Sequence, residues 1–294
     1  MAATSTLAAP AADVPHESPG ARAWRRLKKR RTAMVALGIL VVLTLLAVFA
    51  PLIATHDPTQ QSWRAVRQAP SWMHWFGTDE VGRDIFSRIV YGTRASLSAG
   101  VISVAIAIAA GVPLGLLAGY AGGWVDALIS RITDAMLASP FLILAIALAA
   151  FLGPSLQNAM IAIGITATPV FVRLTRGQVL SIKMEDYVEA ARAVGNTKLR
   201  IAFTHILPNV MPQLLVQGTL TIATAIIAEA SLSFLGLGQQ PPAPSWGSML
   251  NVAQRFLSNA PWMAVFPGIA IFLTVLSFNL LGDGLRDALD PKAK

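Results

Sequence analysis

Cysteine is missing from this 294-residue sequence, so neither a disulfide framework nor a thiolate metal site is available to it. Charge is scarce: Asp, Glu, Lys and Arg make up 13% of the chain, where a soluble domain carries about 25%. No Gly-x-x-x-x-Gly-Lys-Ser/Thr phosphate loop occurs. The nearest fragment, Gly195-Asn196-Thr197-Lys198, lacks the second glycine and its spacing, which excludes ATP binding by that device. The histidines, His16, His56, His74 and His205, are scattered, with no ligand pair at helical spacing, so no metal site is expected. Leu280-Leu281-Gly282-Asp283 lacks the first glycine of the intramembrane aspartyl protease pattern, and no second motif complements it. Proteolysis, and catalysis generally, is not expected.

What is abundant is apolar. The chain is 54% hydrophobic with mean hydropathy +0.59. A bilayer core needs about 20 apolar residues per helix, and uncharged runs of that order fall at 32–56, 95–125, 135–172, 201–228 and 256–282. The third is too long for one span and is broken by Gly153-Pro154, a turn signal. Six spans are predicted, near 33–54, 96–118, 133–152, 155–173, 209–231 and 261–282. Each must be helical, because lipid offers no partner for an unpaired backbone amide. The fold class is all-α integral membrane.

Lys and Arg choose the side. Sixteen lie in the segment 22–31, the loop 173–208 and the C-terminal tail, against six in 55–94 and 232–260. The positive-inside rule then places both termini in the cytosol. The formal charge of +8 is thus a topology signal and not a nucleic-acid footprint. Residues 1–21, rich in Ala, Pro and Ser, read as a disordered tail. The basic cluster and apolar run after it imitate a signal peptide. The run is too long for one and its small-residue site before Pro51 is poor, so it reads as an uncleaved first span.

The segment 185–209, EDYVEAARAVGNTKLRIAFTHILPN, interrupts the apolar chain. Tyr187, Val188, Ala190, Ala191 and Val194 recur at three- and four-residue spacing, and Leu199, Ala202, Phe203 and Ile206 form a second stripe. Gly195 suits the end of the first helix, and Asn196 or Thr197 the cap of the next. Periodicity leaves two readings equal: an amphipathic pair lying on headgroups of membrane lipid, or a docking element for a soluble partner.

Elsewhere, Glu229 follows 28 residues without Asp, Glu, Lys or Arg and is expected at the external, water-accessible end of span five. Its two readings are a structural hydrogen-bonding role and a substrate-path carboxylate. Arg131 and Asp134 are three apart on one helix and are expected to pair at the cytosolic rim. Gly111, Gly115, Gly119 and Gly123 repeat every four residues, a close-packing stripe, with Pro113 a kink position. Trp63, Trp72, Trp75 and Phe76 read as an interfacial aromatic belt.

Here the chain resembles a known family. EAARAVGNTKLRIAFTHILP is similar to the EAA loop of permease subunits in binding-protein-dependent ABC importers. Glu189, Ala190, Ala191, Gly195, Leu207 and Pro208 fit that pattern, and His205, with Ile206 beside it, stands at the isoleucine position. HWFGTDEVGRDIFSRIVYGTRASLSAG (74–100), EASLSFLGLGQQPPAPSWGSML (229–250) and LLGDGLRDALDPK (280–292) resemble the C-type permeases of dipeptide, oligopeptide, nickel and glutathione importers. The glutathione-importer permease is particularly similar in look.

The resemblance implies the type-1 permease fold with six transmembrane helices, in a bacterial inner membrane. The organisation it suggests is a cytosolic tail 1–32, a first span 33–54, a periplasmic segment 55–92, a permease domain 93–282 with coupling loop 185–208, and a cytosolic tail 283–294. It also implies partners: a homologous B-type permease in a heterodimer, two cytosolic ATPase subunits that use ATP and magnesium, and a periplasmic binding protein. WFGTDEVGRDIFSR is expected as a short surface helix beneath that binding protein, with GLGQQPPAPSWG (236–247) a turn-rich external segment. The chain itself is expected to bind no cofactor. The rival reading is an ion- or proton-coupled secondary transporter, which would need intramembrane carboxylates or internal repeats. Neither is evident.

Overall fold

The computed structural model describes residues 19–290. The expectation of disorder falls on 1–21, of which 1–18 lie outside the described residues, as do 291–294 of the C-terminal tail. Among the described residues no strand forms beyond an isolated bridge between Thr78 and Asp84. The order is α1 (Pro19–Lys29), α2 (Arg31–Val48), α3 (Ala50–Ile53), α4 (Ile85–Ala121), α5 (Gly123–Ala138), α6 (Phe141–Leu152), α7 (Leu156–Ile182), α8 (Asp186–Ala193), α9 (Lys198–Ile201), α10 (Leu207–Phe234), α11 (Trp246–Ala253) and α12 (Trp262–Leu289).

Among the described residues, five helical stretches are long and apolar enough to cross a membrane: α2, α4, α7, the continuous run from α9 into α10, and α12. The sixth crossing is the pair α5 and α6, bent by 96° at Ser139-Pro140. The sequence placed one unbroken span at 133–152. Pro140 has no N–H to continue a helix and disfavours helical backbone in the residue before it, and Ser139 accordingly turns extended. The two tails are also more structured than expected. α1 begins at Pro19, and α12 runs on to Leu289.

The central packing is α4 against α7. A Cβ on Gly111, Gly115 or Gly119 would stand 2.7, 2.6 or 2.7 Å from the Cβ of Phe171, Thr175 or Val179, so only hydrogen lets these backbones approach so closely. Gly123 does not continue the stripe. It has φ +57° at the start of α5 and a Cβ there would meet nothing. α4 runs unbroken through Pro113.

Two ends follow from the contacts. At one, α1 and the start of α2 pack on the last turns of α12 through Leu27, Ala33 and Ala288. Arg30 pairs with Asp287 at 3.1 Å, and Arg26 donates to the Asp290 carbonyl. Both described chain ends therefore lie together. At the other end, Trp246 is fully buried and donates to the Ile89 carbonyl, seating α11 on α4. Arg88, also buried, donates to the carbonyls of Pro58 and Pro242. The segment 74–84 is not a helix as expected. Gly82 has φ +79° and its Cβ position is occupied by the Ser62 carbonyl. Helix begins only at Ile85, where Asp84 caps it by accepting from the Ser87 amide at 2.8 Å.

Candidate functional site

The loop between α7 and α10 is built on the end of the molecule that holds both chain ends. α8 carries Asp186 and Glu189 in its first turn, where carboxylates complement the exposed amides. It ends at Gly195, whose φ of +82° is the left-handed conformation a side chain resists. The Gly195 amide donates to the Arg192 carbonyl and the Asn196 amide to the Ala191 carbonyl. These two bonds form a Schellman motif and satisfy carbonyls that helix ends leave open. Thr197 caps α9, accepting from the Arg200 amide at 3.4 Å. The chain then passes through a π-helical turn, 202–206, directly into α10.

The two stripes read from the sequence prove two-sided. Val188, Ala191, Ile201, Ala202 and Ile206 are buried, all but Ala202 within the cluster that continues into Phe171 and Val179. Val194, Leu199 and Phe203 point outward, 78%, 72% and 60% exposed, with Tyr187 and Met184 beside them in sequence and also exposed. Further ties hold the loop to the spans. Lys183 Nζ donates to the Gly119 carbonyl at 3.1 Å, Arg192 stands over the Tyr120 ring, and Asn209 Nδ2 donates to the Tyr187 hydroxyl. The result is a firmly anchored turn with an apolar outer face among charged side chains. Solvated surfaces rarely expose several large apolar groups together without a partner.

Of the residues singled out in sequence, Glu189, Ala190 and Gly195 are exposed and Ala191 is buried. His205 lies half-buried in the π-helical turn, its carbonyl accepting from Asn209 Nδ2 at 2.6 Å, while neighbouring Ile206 supplies the buried apolar group. Leu207 is half-buried, and Pro208 sits in the first turn of α10, where a missing N–H costs nothing.

Glu229 is not water-accessible as expected. It is 0% exposed, accepting from Ser233 Oγ at 2.7 Å and from Ser96 Oγ at 3.2 Å, so it joins α10 to α4. The geometry supports the structural reading. Arg131 and Asp134 do not pair. Asp134 binds Arg173 at 2.7 Å, and Asp126 takes a two-pronged contact from Arg176 at 2.5 and 2.8 Å, both linking α5 to α7. A partner on a facing helix wins because the α5 carboxylates project toward α7, which periodicity along one helix cannot reveal. Together with Ser130, Thr133 and Val172, Asp134, Arg173 and Arg176 line an open cleft of about 220 Å³.

The fold and this loop define a class: a multi-span helical membrane protein that presents a rigid apolar turn outside the bilayer. Residues 111–294, more than half the chain, match the family described as binding-protein-dependent transport system inner membrane component. Residues 18–70 match the N-terminal transmembrane domain of oligopeptide transport permease C. The chain belongs to this permease family and is a membrane-spanning permease subunit of an ABC importer.

Among its relatives is the dipeptide transport system permease protein DppC of Alkalihalophilus pseudofirmus, 52% identical over 277 residues, covering 94% of this chain and 91% of the relative. The glutathione transport system permease protein GsiD of Escherichia coli O157:H7 is 49% identical over 272 residues, covering 92% and 90%. An inward-facing structure of the MetNI methionine ABC transporter superposes with TM-score 0.59 at 23% identity, over 70% of this chain and 98% of that one. That likeness speaks for the type-1 permease fold. The ion-coupled alternative finds no support.

Proposed function

We propose that this permease imports small peptides, di- or oligopeptides or glutathione, from periplasm to cytosol, driven by separate ATPase subunits that dock on the loop 185–208. The observation that carries the reading is the outward apolar trio Val194, Leu199 and Phe203 on a turn whose other face is locked into the helix core. A headgroup-resting pair would turn its apolar residues toward the bilayer. Here the same short segment already spends one apolar face on its own spans and keeps a second for a partner.

On this reading the exposed Glu189, Ala190 and Gly195 belong to the contact surface. Ala191, Leu207 and Pro208 shape the backbone beneath it, and His205 completes the turn into α10. A homologous B-type permease completes the path as a heterodimer, and each permease receives one ATPase. A periplasmic binding protein delivers the cargo. ATP and magnesium belong to the ATPases, and this chain holds neither. The basic end carrying α1 and the loop is cytosolic by the positive-inside rule, in a bacterial inner membrane. ATPase closure pushes the loop, and α10, continuous with α9 through the π-helical turn, and α7, joined to α8 by the short turn 183–185, carry that motion into the spans. The cargo class rests on the relatives named for dipeptide and glutathione transport.

The absence of cysteine makes the docking test direct. Leu199→Cys in the assembled transporter is expected to cross-link to the ATPase, whereas Phe151→Cys, exposed on α6, is not. Absence of an ATPase adduct from Leu199→Cys, with the complex intact, would refute docking there. Calorimetry on the cognate binding protein with glutathione, dipeptides and longer peptides tests the cargo.

A further inference from the structure

Three side chains far apart in sequence meet at the end of the molecule opposite the docking loop. His56 follows α3, His74 lies in the irregular segment before α4, and Asp84 caps α4. One donor atom from each lies within 4.8 Å of the other two. His74 Nδ1 is 2.9 Å from Asp84 Oδ1, and His56 Nδ1 is 3.9 Å from Asp84 Oδ2. The two imidazole centroids are 4.7 Å apart. Asp84 and His74 are buried, while the His56 side chain is 35% exposed and leaves the cluster open to solvent on one side.

Capping α4 does not account for this arrangement. Oδ2 of Asp84 alone serves the helix end, accepting from the Ser87 amide and hydroxyl and from Thr55. Among the described residues, Oδ1 hydrogen-bonds with His74 alone. His56 Nδ1 contacts the Thr55 hydroxyl, and neither Nε2 enters a hydrogen bond among the described residues. Two imidazoles gathered round one carboxylate is a donor set suited to a first-row transition metal and poorly suited to magnesium or calcium, which prefer all-oxygen shells.

We propose that His56, His74 and Asp84 bind one divalent transition-metal ion of the zinc class. Metal–nitrogen and metal–oxygen bonds of about 2.0–2.2 Å place neighbouring donors of a tetrahedral site roughly 3.3 Å apart. The His74–Asp84 pair, hydrogen-bonded at 2.9 Å, is closer than this and opens slightly to admit the ion. His56, on the solvent side, closes the rest by rotation of its ring. The ion replaces the proton shared between His74 Nδ1 and Asp84 Oδ1, which leaves to solvent, and water fills the remaining position. Bound there, it ties together three segments: the chain after α3, the loop holding His74 and the first turn of α4. The proposal is independent of the cargo and of the docking loop.

The test uses the full transporter in nanodiscs, purified without a histidine tag, stripped with a chelator and titrated with zinc and, as control, magnesium. Elemental analysis and calorimetry are expected to give about one zinc more per complex than the His56→Ala complex, with affinity falling about tenfold or more in the variant. The thermal midpoint of the unaltered complex is expected to rise with zinc and not with magnesium. His56 is partly exposed and its removal leaves the Asp84 cap in place. His74→Gln, which keeps a donor for Asp84, is the second variant. Equal zinc content and affinity in the unaltered and variant complexes, or a response to magnesium equal to that for zinc, overturns the site.

Discussion

Gly195 separates backbone strain from surface contact, and that makes it the most informative position in the loop. Its φ is +82°, and a Cβ built there meets no atom of this chain within 4 Å. Gly195→Ala therefore adds only the cost of holding an L-residue in the left-handed region, about 1–2 kcal/mol. Val188, Ile201 and Ile206, each at most 1% exposed, stabilise the folded loop by about 1.5–3 kcal/mol apiece, so the turn survives that strain. Gly195→Asn costs less, because Asn visits this conformation readily. Gly195→Trp adds the same strain plus a large ring projecting into the space assigned to the ATPase.

The assay is ATPase co-purification with ATP-driven uptake in reconstituted membranes. Gly195→Asn is expected near the unaltered level and Gly195→Ala reduced by no more than about 30-fold. Gly195→Trp is expected to insert normally and to lose ATPase association or coupled uptake. Full uptake and an intact complex in Gly195→Trp would refute docking at this turn. Equal losses in the Ala and Trp variants would reduce the effect to backbone strain.

Three further outcomes are expected. Gly115→Leu puts its Cβ 2.6 Å from Thr175 Cβ, too close for two carbons, and is expected to lower stability by about 1–3 kcal/mol, read as a lowered thermal midpoint in detergent; an unchanged midpoint contradicts the α4–α7 packing. Glu229→Leu leaves the Ser96 and Ser233 hydroxyls without their acceptor and is expected to cost about 1–3 kcal/mol without altering cargo preference; a changed preference at full stability would restore the substrate-path reading. Burial, with Asp79 beside it, raises the Glu80 carboxyl above the ordinary glutamate range. Its contribution is then complete below the unfolded pKa and lost as pH rises through the folded value. Glu80→Gln is expected to flatten the fall of the thermal midpoint as pH rises above the ordinary glutamate range, and an unchanged slope would contradict that assignment.

How far the loop was legible depends on the range of the forces involved. Gly195 as a helix end and a cap at Asn196 or Thr197 are local backbone demands, and the structure meets both, with Thr197 as the cap. Which member of each apolar stripe turns inward was not legible. Val188 and Ala191 go in while Val194 stays out because neighbouring spans cover one side of α8. Spacing along a single helix contains no information about its neighbours. The same reason explains Asp134, whose partner proved to be Arg173 on α7 and not Arg131 on its own helix.

By itself, the sequence determined the helical, lipid-embedded class, the approximate positions of the spans, the small-residue stripe of α4 and the charged insert. All of these follow from composition, periodicity and the length a bilayer demands, which act over one or two turns of chain. Only the tertiary structure decided that Glu229 is sealed between Ser96 and Ser233, that one crossing is bent at Pro140, and that His56 and His74 gather at Asp84. Those are meetings between elements distant in sequence. They are set by which faces pack together, and no local spacing encodes that.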